Sequence, residues 1–158
     1  MPTETVLLDY QNPQDYTDIP DKDALTRWIS LACRQDSPFS ISVRIAAEQE
    51  AQELNQQFRG KNYATNVLSF PFDPPPIPMD LIHLGDLVLC KQVIEKEAEQ
   101  QQKTIDDHWA HLIIHGILHL QGYDHISEVA AKEMENLEIT LLKKLAVNNP
   151  YTMHSHTA

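Results

Sequence analysis

The sequence predicts an α+β domain: a small mixed β-sheet packed with helices, one of which runs through the core. Three observations carry this. Stretches of strand and helix character follow one another in the order β-α-β-α-β-β-α-α-α. One strand stretch alternates apolar and polar residues while another is apolar throughout, as half-covered and fully covered positions of a sheet require. The stretch "IDDHWAHLIIHGILHL", residues 105–120, turns apolar on nearly every side after its first turn, which marks a helix surrounded by protein.

In order, "TVLLDY" (Thr5–Tyr10) reads as a short first strand. "DKDALTRWISLACRQ" follows a proline and sets Leu25, Trp28, Ile29 and Ala32 on one helical face. In "FSISVRIA", Phe39, Ile41, Val43 and Ile45 alternate with polar residues, a half-buried strand. A polar helix over 49–58 stops at Gly60, a residue suited to a left-handed cap. "NVLSF" is strand-like and ends at Pro71. Residues 71–80, "PFDPPPIPMD", hold five prolines and form neither helix nor central strand; a stiff loop is expected.

"LVLC" (Leu87–Cys90) is a strand covered on both faces, and "KQVIEKEAEQQQ" an exposed helix with Glu/Lys pairs at helical spacing. Thr104 caps the apolar helix, with Asp106 and Asp107 in the first turn, where the helix dipole favours acids. Gly122 breaks it, and Ser127 caps a last helix whose Ala130, Met134, Leu137, Leu141 and Leu145 form an apolar stripe. One domain over 1–150 is expected, with a disordered tail at 151–158.

The chain has 158 residues, enough for a core without disulfides or structural metals. Two widely separated cysteines and no Cys-x-x-Cys unit fit a reduced intracellular setting. The first ten residues lack the basic and apolar segments of a secretory signal, and no stretch approaches the ~20 apolar residues of a membrane span. The expected location is the cytoplasm. A net charge of −11 argues against broad nucleic-acid affinity. Its acids concentrate in 95–107 and 128–138, on what read as solvated helix faces. Residues 54–72, "LNQQFRGKNYATNVLSFPF", contain no acid and two bases, Arg59 and Lys61, and are the stretch suited to phosphate.

Five of the eight histidines lie between His108 and His125. Residues four apart stack on one helix face about 6 Å apart, so two imidazoles there converge on one metal. Both His111/His115 and His115/His119 have this spacing. The reversal expected at Gly122 brings His125 back toward His119 and His115 more readily than toward His111, a turn further away. His115, His119 and His125 are therefore the candidate ligands, leaving a fourth position open as in catalytic zinc sites. His108 and His111 read as surface groups or as groups behind the ligands. The spacing H-x-x-x-H-x-x-G-x-x-H is that of metzincin peptidases, except that Gly116 stands where those enzymes carry a catalytic glutamate. Asp124 reads either as a water-orienting group or as a turn residue. A phosphodiester makes a different demand: a cation for its anionic transition state, best met by arginine.

"HGILHLQGYDH", "FRGKNYATNVLSFPF" and "LGDLVLCKQVI" together closely resemble the YbeY family of bacterial endoribonucleases, over some two-thirds of the chain. The resemblance implies a zincin-like site with one zinc on His115, His119 and His125, and activity associated with Arg59. It also implies cleavage of single-stranded RNA in ribosomal RNA maturation (the 16S 3′ end) and ribosome quality control. Ribosomal small-subunit proteins and a ribosome-associated GTPase are the implied partners. Gly116 belongs to the family pattern. In this reading Arg59 holds the scissile phosphate. Lys61 adds backbone attraction or is a plain surface lysine. Asp86 either supports a ligand or caps the start of a strand, the latter favoured. Two rivals stand beside it: a metallopeptidase-like hydrolase, and a non-catalytic zinc-stabilised ribosome assembly factor.

Overall fold

The computed structural model describes residues 6–34, 38–72, 81–124 and 126–151. The expected element order is the observed one: β1 (Val6–Gln11), α1 (Lys22–Ala32), β2 (Phe39–Ala46), α2 (Glu48–Arg59), β3 (Val67–Pro71), β4 (Ile82–Cys90), α3 (Lys91–Gln100), α4 (Ile105–Leu120) and α5 (Glu128–Lys143). The four strands form one mixed sheet in the order β1-β2-β4-β3, with β1 and β4 parallel to β2, and β3 antiparallel to β4. Most of the five-proline stretch and the tail beyond Tyr151 lie outside the described residues.

Side-chain chemistry accounts for several boundaries. Asp21 accepts from the Ala24 amide at 2.8 Å and Thr104 from the Asp107 amide at 3.1 Å, so α1 and α4 start on capped amides. Ser127 does the same for α5 at 3.1 Å from the Ala130 amide. Pro71 ends β3 on the sheet edge, where a missing N–H is tolerated. One expectation falls short: β4 starts at Ile82, five residues before the apolar run. Its first half, "IHLGD", ends in a glycine and an aspartate, both disfavoured in strands, and is held by backbone pairing with β2 and β3, with a register shift between Ser40 and Ile41.

The helix α4 is central, packing on α1, α3, α5 and β3. Ile113, Ile114, Ile117 and Leu118 are fully buried, each contributing roughly 1.5–3 kcal/mol relative to an exposed side chain. Gly116 is where α4 meets β4. A Cβ there would stand 2.8 Å from Leu87 Cδ2, and Leu87 is itself fully buried. Packing therefore favours glycine after His115, because a larger side chain at this point would have to displace the buried Leu87. Among the described residues no helix is long and apolar enough to cross a membrane.

Candidate metal and phosphate site

The four-residue spacing on α4 does what helical geometry demands. The His115 and His119 rings lie 4.8 Å apart, centroid to centroid, and His111 and His115 lie 6.2 Å apart. His125 falls outside the described residues. His115 and His119 line a cavity of about 530 Å³ together with His111, Arg59, Lys103 and Tyr151.

Arg59 is brought there by the end of its helix. Gly60 adopts φ 71, left-handed, and its amide donates to the Gln56 carbonyl at 3.0 Å while that of Lys61 reaches the Asn55 carbonyl at 3.3 Å. The Asn55 side chain then holds the following loop by donating to the Tyr63 carbonyl at 2.8 Å. Arg59, the last residue of α2, lines the cavity that Ser69 and Pro71 of β3 also line. Lys61 is exposed in the loop and is not among the cavity-lining residues. Lys103 is the cavity's second cation; burial lowers its pKa against the pull of Glu97 and Asp107.

Behind the histidines stands Glu138 of α5, fully buried. Burial pushes its carboxyl up, but hydrogen bonds from His111, His115 and Tyr151 hold it down at about 2, so the group is ionised and acts purely as an acceptor. His115 Nδ1 donates to Oε2 at 2.7 Å, and His111 Nε2 donates to Oε1 at 2.9 Å. The Tyr151 hydroxyl makes a short hydrogen bond to Oε1. Burial lowers the pKa of His111, outweighing the attraction of Glu138, so this ring is neutral. Burial and the carboxylate raise that of Tyr151, keeping its hydroxyl a donor.

Glu138 corrects the expectation that 128–138 is a solvated face. The signal was present: Glu138 lies four residues after Met134 and three before Leu141, on the apolar stripe itself. Of the two readings given for His108 and His111, surface groups or groups behind the ligands, burial removes the first. His108 is 3% exposed. Its Nε2 meets Glu97 Oε1 at 2.8 Å, and Glu97 also accepts from the Asn66 amide nitrogen at 3.0 Å, tying α3, α4 and the start of β3 together. Asp86 bonds His83 at 2.9 Å, outside this cavity. Asp124 Oδ1 accepts from the Ile126 amide at 3.1 Å, the contact of a turn residue.

His111, His115 and Glu138 bring three potential metal-ligating atoms within 4.8 Å of one another. Two of their contacts, at 2.7 and 2.9 Å, are closer than the roughly 3.3 Å separating two ligands of one tetrahedral zinc with bonds near 2.0–2.1 Å. In this arrangement the trio is a hydrogen-bonded buttress. Its chemistry fits the support of a metal-ligating histidine, which characteristically gives its other ring nitrogen to a carboxylate.

Fold and site together define a class: an α+β protein with carboxylate-held histidines and an arginine on one cavity. The fold is shared with a solution structure of TM1509 from Thermotoga maritima, at a TM-score of 0.56 and 22% identity over 92% of this chain and 95% of that one. Residues 9–146 match the family described as Endoribonuclease YbeY. The chain belongs to that family. Relatives bearing that name include one from Idiomarina loihiensis, 48% identical over 91% of this chain and 90% of the relative. Another, from Stutzerimonas stutzeri, is 54% identical over 83% and 82%, respectively.

Proposed function

We propose that this protein is a metal-dependent endoribonuclease that cleaves single-stranded RNA, acting in 16S 3′-end maturation and ribosome quality control in the cytoplasm. The observation that carries the reading is the sharing of one cavity by Arg59 and the His115/His119 pair. His115, His119 and His125 would hold one zinc in a zincin-like tripod, His115 through Nε2 because Glu138 engages Nδ1. Bound zinc supplies Lewis acidity at neutral pH. Arg59 binds the scissile phosphate through its planar fork and meets the charge that grows on it. Lys103 adds positive potential from another part of the wall, and Lys61 attracts the backbone from outside the cavity. Glu138 fixes the orientation of His115, and the apolar residues of α4 limit water behind the site. Ribosomal small-subunit proteins and a ribosome-associated GTPase are the proposed partners, consistent with an acidic surface that docks through protein.

The packing of Gly116 against Leu87 weighs against a peptidase, since a glutamate after His115 would have to displace Leu87. The test is metal analysis together with cleavage of a single-stranded RNA by wild type, Arg59→Glu and His115→Ala. Arg59→Glu is expected to lower cleavage by about 100-fold or more with zinc content intact. His115→Ala is expected to lose both. Cleavage unchanged in both variants would overturn the nuclease reading, and digestion of casein would move it to the peptidases.

A further inference from the structure

The helix α5 does not run straight into the tail. Leu145 and Ala146 donate to the carbonyls of Leu142 and Lys143 at 2.9 and 3.0 Å, and the Val147 amide turns back to the Leu142 carbonyl at 3.0 Å. Ala146 takes φ 61, a left-handed conformation disfavoured for a residue with a Cβ. The reversal places Val147 against the core, buries Pro150, and ends with the Tyr151 amide on Asn149 Oδ1 at 2.8 Å. The family match ends at residue 146, yet Pro150 and Tyr151 line the cavity of the histidines.

Tyr151 is 40% exposed, so its placement is not explained by burial of its ring. What holds it is specific. Its hydroxyl donates to Glu138 Oε1, and its ring stands edge-on to His111 at 5.6 Å and 88°. Each carboxylate oxygen of Glu138 is thereby assigned: Oε2 to His115, and Oε1 to His111 and Tyr151. A fully buried carboxylate needs several donors to remain ionised and in one rotamer.

We infer that Tyr151 is a positioning residue of the metal site, and that residues 147–151 form a strap locking Glu138, and through it His115, in ligating orientation. This rests on the proposed reading of His115 as a ligand. Removal of the hydroxyl leaves Oε1 with His111 alone. The carboxylate then gains rotational freedom, and the hold on His115 Nδ1 loosens. Such supporting hydrogen bonds are commonly worth 10–100-fold in metal affinity.

The experiment uses the full chain, stripped of metal, and titrates it with zinc against a chelator of known affinity. Wild type, Tyr151→Phe and Tyr151→Leu are compared, with the visible spectrum of the cobalt(II)-loaded protein and the urea midpoint of the apo protein as further readouts. Tyr151→Phe keeps the ring on His111 and is expected to bind zinc about 10-fold more weakly. Its cobalt bands should shift and its apo urea midpoint stay near wild type. Tyr151→Leu is expected to show at least the same loss of affinity. Zinc affinity within twofold of wild type and an unchanged cobalt spectrum in Tyr151→Phe would overturn the inference, as would a loss seen only in Tyr151→Leu alongside a lowered apo midpoint. A wild-type protein that takes up no metal would instead overturn the metal reading beneath it.

Discussion

Two clusters in this molecule are built from the same parts. On the sheet, His83 lies between Asp86 Oδ1 at 2.9 Å and Ser40 Oγ at 2.8 Å. Between α4 and α5, Glu138 accepts from His115 at 2.7 Å, from His111 at 2.9 Å and from the hydroxyl of Tyr151. The distances do not tell the clusters apart; burial does. His83 and Asp86 have side chains 32% and 39% exposed, whereas Glu138 has none of its side chain exposed. Water competes for each group of the first cluster, so its pair is worth little. In the second, loss of the carboxylate removes the shared acceptor of three groups from a buried site. Serine, histidine and aspartate in line invite comparison with a hydrolytic triad, but an orienting aspartate in such a triad is buried. Here the cluster ties β2 to β4 beside the register shift at Ser40/Ile41.

The sharpest test of that contrast is a pair of truncations followed by urea unfolding in the presence of chelator. Glu138→Ala is expected to cost about 3–5 kcal/mol, as for a buried charge partner removed. Asp86→Ala should cost no more than about 1 kcal/mol, as for exposed pairs. Equal losses would mean that burial is not what separates the clusters.

Acid titration of the metal-free protein probes the same difference more gently. Glu138 is held from 4.5 to about 2 in the folded state, so its contribution is complete above 4.5 and is lost as pH falls toward about 2. His111, lowered by burial from 6.5, adds an earlier loss, because the unfolded chain takes up that proton first as pH falls below 6.5. Stability should therefore begin to decline below about pH 6.5 and steepen below about 4.5. Glu138→Gln should flatten the lower limb. A wild-type curve flat down to pH 3 would contradict the assignment.

The smallest effect concerns the helix that carries the histidines. In Gly116→Ala the new Cβ meets Leu87 Cδ2 at 2.8 Å. The strain, about 1–3 kcal/mol, is partly offset by a helix-propensity gain of about 1 kcal/mol. A net loss of about 1 kcal/mol in the urea midpoint is expected. A stabilised variant would show that Leu87 yields readily and that packing does not dictate this glycine.

Much of this could be read before any fold was known. Element order followed from period and punctuation, since Thr104 and Ser127 cap helices by short-range hydrogen bonds and Gly60 and Gly122 (φ 103) end them locally. The first half of β4 was illegible because partner strands hold it, and Glu138 was missed because an acid within a run of charged residues looks solvated.

The sequence alone determined that His115 and His119 share a face, because four residues on a helix close that geometry without help from the rest of the chain. It also determined that the helix beside Arg59 stops at Gly60, the local left-handed residue. Only the tertiary structure decided which histidines receive a carboxylate, since Glu138 reaches His115 across 23 residues and is buried only once α5 docks. The same holds for Gly116. Its missing side chain looked in the sequence like a lost catalytic group, and the fold makes it the contact that lets α4 lie against Leu87. Local spacing acts through a rigid helix, whereas desolvation and close packing exist only after distant segments have met.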